Sequence, residues 1–294
     1  MDIDNKQVAI LTEAIPYLRE FKDKTIVVKY GGNAMLNDEL KNKVLQDIVF
    51  LQSAGMRPVV VHGGGPEITR MLVQAGKKST FVSGLRVTDA ESVGIAEMAL
   101  VGKINTDLVG RMNSLGGNAV GLNGKDAKLI QAKKHLADVY ENGEVNLVDI
   151  GFVGNVEKIN VGLINTLLDA GFIPVIAPTG VGEAGETYNI NADSVAGEVA
   201  GALKAEKLLV LTDVKGIYSD YRDENSFIST LSFEKAQELI IRGKIDGGMI
   251  PKVRACITAL SGGAKKTHII DGRAEHSILM EIFSDEGVGT EVVK

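Results

Sequence analysis

Residues 25–35 read TIVVKYGGNAM and raise a question about one charged side chain. Four residues that favour strands run directly into Lys29, and after one tyrosine come Gly31 and Gly32. A strand interior disfavours an ammonium group, and paired glycines after a strand give up packing and backbone order. Some interaction must compensate for both losses, and the rest of the chain indicates which.

Apolar, β-branched runs like this one recur along the 294-residue chain. They are nearly continuous in apolar residues, which is typical of strands that are buried on both faces of a sheet. The runs are TIVVKY (25–30), RPVVVH (57–62), NAVGL (118–122), FIPVIAP (172–178), KLLVLT (207–212) and THIID (267–271).

Helical patterns lie between these runs. Within residues 37–54, four apolar side chains share one helix face, and Gly55 stands where a helix commonly ends. Further helices are predicted to end at Gly76, Gly116, Gly171 and Gly243. Alternation of strand and helix at this spacing predicts an α/β fold with a mostly parallel sheet that helices cover on both faces.

Three segments depart from the alternation. Residues 80–89 contain two short runs around Ser83-Gly84, which predicts a small protruding β-hairpin. Residues 123–158 mix short strand-like runs with glycine and asparagine, and we expect irregular structure there. Residues 218–226 are polar and rich in turn-forming types, which predicts an exposed loop.

Composition and charge exclude several classes of protein. A net charge of -6 repels nucleic acid and anionic lipid, and the chain has no tryptophan for base stacking. The single cysteine, Cys256, excludes an internal disulfide and fits a reducing compartment. The start, MDIDNK, lacks the apolar stretch of a signal peptide, and no apolar run approaches the roughly 20 residues of a membrane span. We expect a cytoplasmic protein that binds neither nucleic acid nor membrane.

An amino-terminal helix is predicted before the first strand. Val8, Leu11, Ile15 and Leu18 are spaced 3, 4 and 3 residues apart, which gives an apolar stripe, and Pro16 should kink the helix. Two interpretations remain open at this point. The helix either folds back on the core of its own chain or packs on another subunit.

Glycine clusters follow three predicted strands, at residues 31–32, 63–65 and 180–185. In a parallel sheet, ligands bind beyond the carboxyl ends of the strands, where glycine lets backbone N–H groups approach a phosphate. A single glycine loop of this kind can equally be an ordinary tight turn. Two such loops after strands, one of them beside Lys29, favour an anion-binding site. The GVGEAG cluster (180–185) formally matches a dinucleotide-binding motif, but its helix starts too late and nearby glutamates would repel a pyrophosphate.

A second lysine stands in DGGMIPKVRA (246–255). Pro251 suits a first helical turn, so Lys252 and Arg254 lie where the helix dipole disfavours cations by a few tenths to about 1 kcal/mol. They are either tolerated surface charges or ligands of an anion at the helix start.

Together these segments resemble the amino-acid kinase family, and within it the members that phosphorylate N-acetyl-L-glutamate in arginine biosynthesis. The segments that carry the resemblance are VVKYGGNAM (27–35), VVVHGGGPEI (59–68), SGLRVTD (83–89), YNINADSVAGEVA (188–200), LLVLTDVKGIY (208–218) and DGGMIPKV (246–253). The resemblance implies a three-layer α/β/α sandwich with two lobes and no P-loop. We expect a helical extension over residues 1–22, a lobe over 23–178 for the amino-acid substrate and dimerisation, and a lobe over 179–294 for ATP.

The resemblance also implies roles for individual residues. Lys29 and Lys252 match two lysines that stabilise the transferring phosphoryl group, and Asp193 matches an aspartate that holds both lysines. The substrate-binding positions are Gly64, Gly65, Arg86 and Asn189, with Arg86 on the substrate carboxylate. The ATP-binding positions are Gly31, Gly32, Thr212, Asp213, Gly216, Tyr218, Gly248 and Met249.

The chemistry suits these residue types. The nucleophile would be a γ-carboxylate, which is ionised at pH 7 and needs no general base. Phosphoryl transfer then depends on positioning and electrostatic stabilisation, with Mg²⁺ carried by ATP and no metal site in the protein. His62 is expected to be structural or a minor substrate contact. Two alternatives remain: a sister kinase that acts on glutamate, aspartate, carbamate or UMP, and a non-catalytic amino-acid sensor.

Regulation is the last expectation from the resemblance. Family members that L-arginine inhibits carry an amino-terminal helix and form hexamers, as trimers of dimers. The tail HSILMEIFSDEGVGTEVV (276–293) resembles the effector-binding end of those members, and a nitrogen-signalling PII protein is a further conceivable partner. The residues expected at the arginine site are Tyr17, Lys204, Glu281, Gly287 and Gly289.

Overall fold

A computed structural model describes residues 5–35, 37–141, 144–220, 222–245, 247–285 and 287–294. The helices are α1 (Asn5–Glu13), α2 (Ile15–Phe21), α3 (Asp38–Ser53), α4 (Gly65–Gln74), α5 (Ala90–Glu97), α6 (Thr106–Ser114), α7 (Val161–Asp169), α8 (Ala192–Ala202), α9 (Phe233–Ile241), α10 (Met249–Gly262) and α11 (Ser277–Ile282). A π-helix, Met98–Asn105, joins α5 to α6.

The strands are β1 (Thr25–Tyr30), β2 (Arg57–His62), β3 (Phe81–Val82), β4 (Leu85–Arg86), β5 (Ala119–Asn123), β6 (Ile130–Glu141), β7 (Glu144–Ile159) and β8 (Ile173–Ala177). The carboxyl-terminal half adds β9 (Thr179–Val181), β10 (Thr187–Asn189), β11 (Lys207–Thr212), β12 (Ile217–Tyr218), β13 (Phe227–Ile228), β14 (Thr230–Ser232), β15 (Lys266–Asp271) and β16 (Thr290–Val293). The six apolar runs are therefore strands, with bounds within one residue of those predicted.

One eight-stranded sheet organises the molecule, in the order β14-β16-β15-β11-β1-β2-β8-β5. Its neighbouring strands run parallel except β15 and β16. Apolar clusters lie on both faces of this sheet, one against α8 and α10 and the other against α3 and α11. The predicted three-layer α/β architecture is confirmed.

The middle of the sheet contains a reversal of strand order. Strand β1 pairs with β2 on one side and with β11 on the other, so the chain order reverses there. Beyond such a reversal, the loops after the two central strands diverge and leave an open cleft at the carboxyl ends. The segments after β1, β2 and β11 therefore meet at one edge.

Helices α8 and α10 lie side by side because small residues face each other along their length. A Cβ added to Gly197 would lie 2.6 Å from the Ala255 carbonyl oxygen, and one added to Gly262 would lie 2.6 Å from Gly201 Cα. Both contacts are too close for any side chain. The two helices run parallel, so both amino termini lie at the same edge of the sheet, beyond the carboxyl end of β1.

The expectation of irregular structure in residues 123–158 was wrong. Instead of short irregular strands, β6 and β7 form a long antiparallel hairpin that joins β9 and β10 in a small closed sheet. Its pattern is blurred by register shifts beside Gln131 and Leu136 and by a positive φ at Gly151. These bulges interrupt the alternation by which a strand is recognised.

Other local expectations are confirmed. Strands β3 and β4 form the small hairpin around Ser83 and Gly84, both with positive φ. Each glycine predicted to end a helix has positive φ: Gly55, Gly76, Gly116, Gly171 and Gly243. The GVGEAG cluster covers the end of β9 and most of the turn to the antiparallel strand β10, so it opens no helix.

Candidate functional site

Two cavities open at the carboxyl edge of the central strands. The smaller one, of about 260 Å³, lies beyond β1 and β2 and is covered by the β3–β4 hairpin. Its lining includes seven of the predicted residues: Lys29, Gly32, Gly64, Gly65, Arg86, Asn189 and Asp193. Apolar side chains complete its wall, namely Ile68, Phe81, Leu85, Leu100 and Val153.

The larger cavity, of about 640 Å³, lies beyond β11 and the start of α10. Its lining includes all six predicted ATP-binding residues of the carboxyl-terminal half: Thr212, Asp213, Gly216, Tyr218, Gly248 and Met249. Sequence reasoning did not single out Lys244 and Arg222, which also line it and add positive charge.

A lysine–aspartate–lysine group lies where the cavities meet. Lys29 Nζ is 2.9 Å from Asp193 Oδ1, and Lys252 Nζ is 3.3 Å from Asp193 Oδ2. Lys252 lines the larger cavity, whereas Lys29 and Asp193 line the smaller one. The three residues thus come from three distant segments and are brought together as predicted.

The pattern of β1 explains the direction of Lys29. Alternate residues of a strand face opposite sides of the sheet, so Lys29 shares the face of Val27, towards α8. Asn191 caps α8 by accepting hydrogen bonds from the amides of Asp193 and Ser194, which places Asp193 in the first turn. Burial raises the pKa of the Asp193 carboxyl, but the charges of Lys29 and Lys252 more than offset this effect and hold it below its ordinary value.

Backbone donors come from the start of α4. Gly64 precedes this helix and Gly65 begins it, so their N–H groups lie at the positive end of the helix dipole. A Cβ at Gly64 would lie 2.5 Å from Ile104 Cδ1 and 2.6 Å from Leu100 Cδ2, so a larger residue would have to displace these side chains of the π-helix. Gly31 lies close to both Gly63 and Lys29. A Cβ at Gly31 would lie 3.2 Å from Gly63 Cα and 3.3 Å from Lys29 Nζ.

Arg86 is buried at the end of the β3–β4 hairpin and is held by neutral groups. Its Nη2 donates to the Gly65 carbonyl (3.0 Å) and the Thr69 hydroxyl (2.9 Å), and its Nη1 donates to the Ser79 hydroxyl. The guanidinium carbon lies 4.7 Å from the Phe81 ring centroid. Within the described residues, no carboxylate forms an ion pair with Arg86, and burial lowers its pKa. The charge is available to a ligand carboxylate.

His62 is absent from the linings of both cavities, which disfavours the direct substrate contact considered for it. Its side chain is fully buried, and burial lowers its pKa to about 4, so the ring is neutral near pH 7. It contacts Asn105 of the π-helix, a residue that sequence reasoning missed. A π-helix leaves no periodicity that distinguishes it from an α-helix, so no sequence signal was present.

The residues expected at an arginine site come from several separate elements. Glu281 is buried, and its Oε2 accepts from Val288 N (3.1 Å) next to Gly287, while Gly289 lies against the Ile269 carbonyl. Tyr17 donates to Asp285 Oδ1 (2.6 Å) beside a cavity of about 750 Å³. Lys204 lies at the end of α8 against Gly263, and the lysine that contacts Glu281 is Lys207, at 3.0 Å.

The described residues contain neither a cluster that could hold a metal ion nor a helix that could span a membrane. Among the described residues, no three His, Cys, Asp or Glu side chains converge in a way that could hold a metal ion. None of the helices described is long and apolar enough to cross a membrane.

Comparison with known proteins now identifies the class. The model of the amino acid kinase family matches residues 24–271, and the chain belongs to this family. It is 58% identical over 288 residues to the acetylglutamate kinase of Moorella thermoacetica, covering 98% of this chain and 97% of that protein. It is 56% identical over 290 residues to the acetylglutamate kinase of Pelotomaculum thermopropionicum, covering 98% of each.

Solved structures show the same fold. N-acetylglutamate synthase from Neisseria gonorrhoeae, complexed with coenzyme A and N-acetyl-glutamate, has a TM-score of 0.81 and 28% identity. The match covers 98% of this chain but 63% of the synthase chain, which is therefore considerably longer. Carbamate kinase from Giardia lamblia bound to AMP-PNP has a TM-score of 0.66 and 18% identity, covering 92% of this chain and 98% of that one.

Proposed function

We propose that the protein transfers the γ-phosphoryl group of ATP to the γ-carboxylate of N-acetyl-L-glutamate, a step of arginine biosynthesis, in the cytoplasm. The observation that carries this proposal is the Lys29–Asp193–Lys252 group between two cavities. One cavity has the size and residues expected for a nucleotide, and the other has those expected for a small acyl amino acid. The curated relatives at 58% and 56% identity are named acetylglutamate kinases, which supports the choice of substrate.

The geometry suits transfer between two anions. A carboxylate nucleophile in the smaller cavity and a triphosphate in the larger one repel each other, and the two ammonium groups offset this repulsion as charge moves in the transition state. Asp193 keeps the lysines within 3.3 Å of one carboxylate, so that they are ordered before the substrates bind. ATP enters as its magnesium complex, and the protein itself supplies ammonium and N–H groups.

The smaller cavity suits an acylated amino acid. Arg86 offers a guanidinium without a carboxylate partner among the described residues, which can bind the α-carboxylate. Neutralising the α-amino group by acylation suits the apolar wall that Leu100 and Val153 provide. Free glutamate or aspartate would bring an unpaired ammonium group against this wall.

A coupled assay of ADP release tests the proposal. The full-length protein is incubated with MgATP and, in turn, with N-acetyl-L-glutamate, L-glutamate, L-aspartate, carbamate and UMP. We expect turnover with N-acetyl-L-glutamate and a much lower kcat/KM with each of the others. Preferential turnover of another acceptor would establish a sister kinase, and no turnover of any acceptor would favour the amino-acid sensor.

We further propose that L-arginine inhibits the enzyme and that it assembles as a hexamer. Val8, Leu11 and Ile15 of the amino-terminal stripe are 47%, 70% and 40% exposed, so a single chain leaves the stripe uncovered and available to another subunit. Tyr17 links α2 to the segment after α11, beside the 750 Å³ cavity. The related synthase of Neisseria gonorrhoeae has also been solved with L-arginine, at 28% identity. Binding of a PII protein stays a prediction from the resemblance.

A further inference from the structure

The peptide between Gly63 and Gly64 lies at the centre of the proposed phosphoryl-transfer site. Its neighbours are restrained, since Gly63 N donates to the Tyr30 carbonyl at 2.7 Å and the Gly64 carbonyl accepts from Ile68 N at 2.9 Å. Gly64 N itself donates to no acceptor in the described part of the chain. This N–H group is therefore left for a ligand of the cavity that Gly64 lines.

His62 restrains the other side of the same peptide. His62 Nδ1 lies 3.1 Å from the Gly63 carbonyl oxygen. No peptide bond in the described chain is cis, and in a trans peptide the N–H points away from the C=O. When the Gly63 carbonyl is turned towards the buried imidazole, the Gly64 N–H must therefore face the opposite way.

Asn105 determines which imidazole nitrogen carries the proton. The Asn105 side chain contacts the Val175 carbonyl at 2.8 Å, and only the amide Nδ2 can donate there. The same Nδ2 lies 3.1 Å from His62 Nε2, so Nε2 accepts and the proton belongs to Nδ1, which can donate to Gly63. Burial keeps the ring neutral by lowering the pKa of His62 to about 4, which preserves this tautomer.

The π-helix brings Asn105 into this position. Residues 98–105 carry Leu100 and Ile104 over Gly64 as well as Asn105 under His62. The carboxamide is buried and fills the space beside Gly121, where a Cβ would lie 2.1 Å from Asn105 Oδ1. Local π-helical turns cost stability and commonly occur at functional sites.

We propose that His62 and Asn105 are positioning residues for phosphoryl transfer, which hold the Gly63–Gly64 peptide so that the Gly64 N–H faces the transferred group. This inference rests on the proposed function. Neither side chain touches the substrates; both act through the Gly63 carbonyl. Loss of either should reduce transition-state stabilisation more than ground-state binding.

Substitution of His62 gives the first test. His62→Phe keeps an aromatic ring but removes the donor, whereas the Asn Nδ2 of His62→Asn occupies nearly the position of the imidazole Nδ1. We expect His62→Phe to lower kcat by about 10²-fold, the scale of one lost backbone donor, with KM for both substrates changed little. His62→Asn should recover most of kcat. ADP, aluminium fluoride and N-acetyl-L-glutamate together mimic the transition state, and the affinity for this combination should fall in parallel with kcat. The affinity for ATP should stay unchanged.

A matched pair of asparagine substitutions gives the second test. This test remains informative even if His62→Phe does not fold. Asn113 of α6, like Asn105, donates from Nδ2 to a strand carbonyl, that of Ala119 at 3.2 Å, but lies away from the site. Asn105→Leu should lower kcat with little change in KM. Asn113→Leu should lower the melting temperature without changing kcat.

The outcomes are distinguishable. Equal kcat in Asn105→Leu and Asn113→Leu, or a folded His62→Phe with wild-type kcat, would overturn this inference and leave the proposed function intact. A wild-type protein that does not phosphorylate N-acetyl-L-glutamate would overturn the proposed function instead.

Discussion

Lys29 and Lys252 contact one carboxylate, but they differ in burial. The Lys29 side chain is 7% exposed and the Lys252 side chain 16%, so removing Lys29 also takes the nearer counter-charge from a buried aspartate. Lys252 therefore gives the cleaner test of catalysis. We expect Lys252→Ala to lower kcat by at least about 10²-fold, because one charge on the transferring group is lost, and to change the melting temperature little.

Arg254 offers a matched control for this measurement. It is a cation two residues further along α10, and its side chain is exposed. Steady-state kinetics of Arg254→Ala should resemble those of the wild type. Near-normal turnover in Lys252→Ala would remove this lysine from the mechanism.

Arg86 should act on the acyl amino acid alone. Two of its nitrogens are engaged by Ser79, Thr69 and the Gly65 carbonyl, a planar arrangement that an ammonium group cannot reproduce. We expect Arg86→Lys to raise KM for N-acetyl-L-glutamate far more than KM for ATP. The opposite order, measured by varying each substrate at saturation of the other, would place Arg86 on the nucleotide side.

His62 should also make stability depend on pH. Burial lowers the pKa of His62 to about 4 from an ordinary 6.5, so the unfolded chain binds a proton that the folded chain does not between these pH values. Stability is therefore highest above pH 6.5 and falls as pH drops towards 4, by about 3 kcal/mol for this group. His268, whose pKa is lowered in the same way, should contribute similarly, whereas the raised pKa values of Asp47 and Glu198 act in the opposite direction.

The comparison with His62→Asn isolates this contribution, because the other groups cancel in the difference. Denaturant unfolding of both proteins between pH 4 and 7 should give curves that diverge as pH falls, with the wild type losing more. If the unfolding free energies of the two proteins changed in parallel with pH, the lowered pKa of His62 would be contradicted.

At the scale of elements, the β3–β4 hairpin should control entry to the smaller cavity. Gly84 has a φ of +79°, and a Cβ there would meet nothing within 4 Å, so only backbone strain opposes substitution. We expect Gly84→Val to strain the turn by about 1–2 kcal/mol. Because the hairpin carries Phe81 and Arg86, KM for N-acetyl-L-glutamate should rise by up to about 10-fold, with KM for ATP unchanged.

Gly94 of α5 provides the control. A Cβ there also meets nothing within 4 Å, but the backbone is helical. Gly94→Ala should leave both KM values unchanged and raise the melting temperature slightly, since alanine is the better helix former. An equal rise of KM in both variants would mean that the turn does not control binding.

Elements with regular periodicity were predictable, and interrupted ones were not. The buried strands and the glycine-terminated helices carry patterns within a few residues of chain. The β6–β7 hairpin is divided by bulges, and the π-helix shares the apolar spacing of its α-helical neighbours. In both cases, contacts with distant residues outweigh the local pattern.

At the scale of the whole molecule, the amino-terminal helices should govern assembly. Phe21 of α2 is 4% exposed and packs with the core, whereas Leu11 of α1 is 70% exposed. A deletion that spares α2 is therefore the sharper experiment. We expect removal of residues 1–14 to give active dimers whose inhibition by L-arginine is weakened or lost, as measured by light scattering and ADP release.

A pair of point variants separates the stripe from the rest of α1. Leu11→Asp places a charge on the apolar stripe and should dissociate a hexamer. Ala9→Asp places the same charge on an exposed position away from the stripe and should not. A full-length dimer whose activity is unchanged in millimolar L-arginine would contradict both parts of the regulatory proposal. The lobe boundary near residue 178 likewise stays a prediction.

The amino-acid sequence by itself determined six strands of the main sheet, the glycine ends of helices and the two lysines that suit an anion. These features depend on residues close in the chain, so period and residue type suffice to find them. The roles of Arg86, Asp193 and the nucleotide residues required the family resemblance in addition, since no local pattern distinguishes them.

The tertiary structure alone decided how these parts act together. Asp193 contacts Lys29 and Lys252, which are 164 and 59 positions away in the chain. The contacts are possible because glycines let α8 and α10 approach each other beside the carboxyl end of β1. The neutral surroundings of Arg86 and the buried contact between His62 and Asn105 likewise join separate elements. Such contacts depend on the register and close approach of packed elements, which a one-dimensional pattern does not encode.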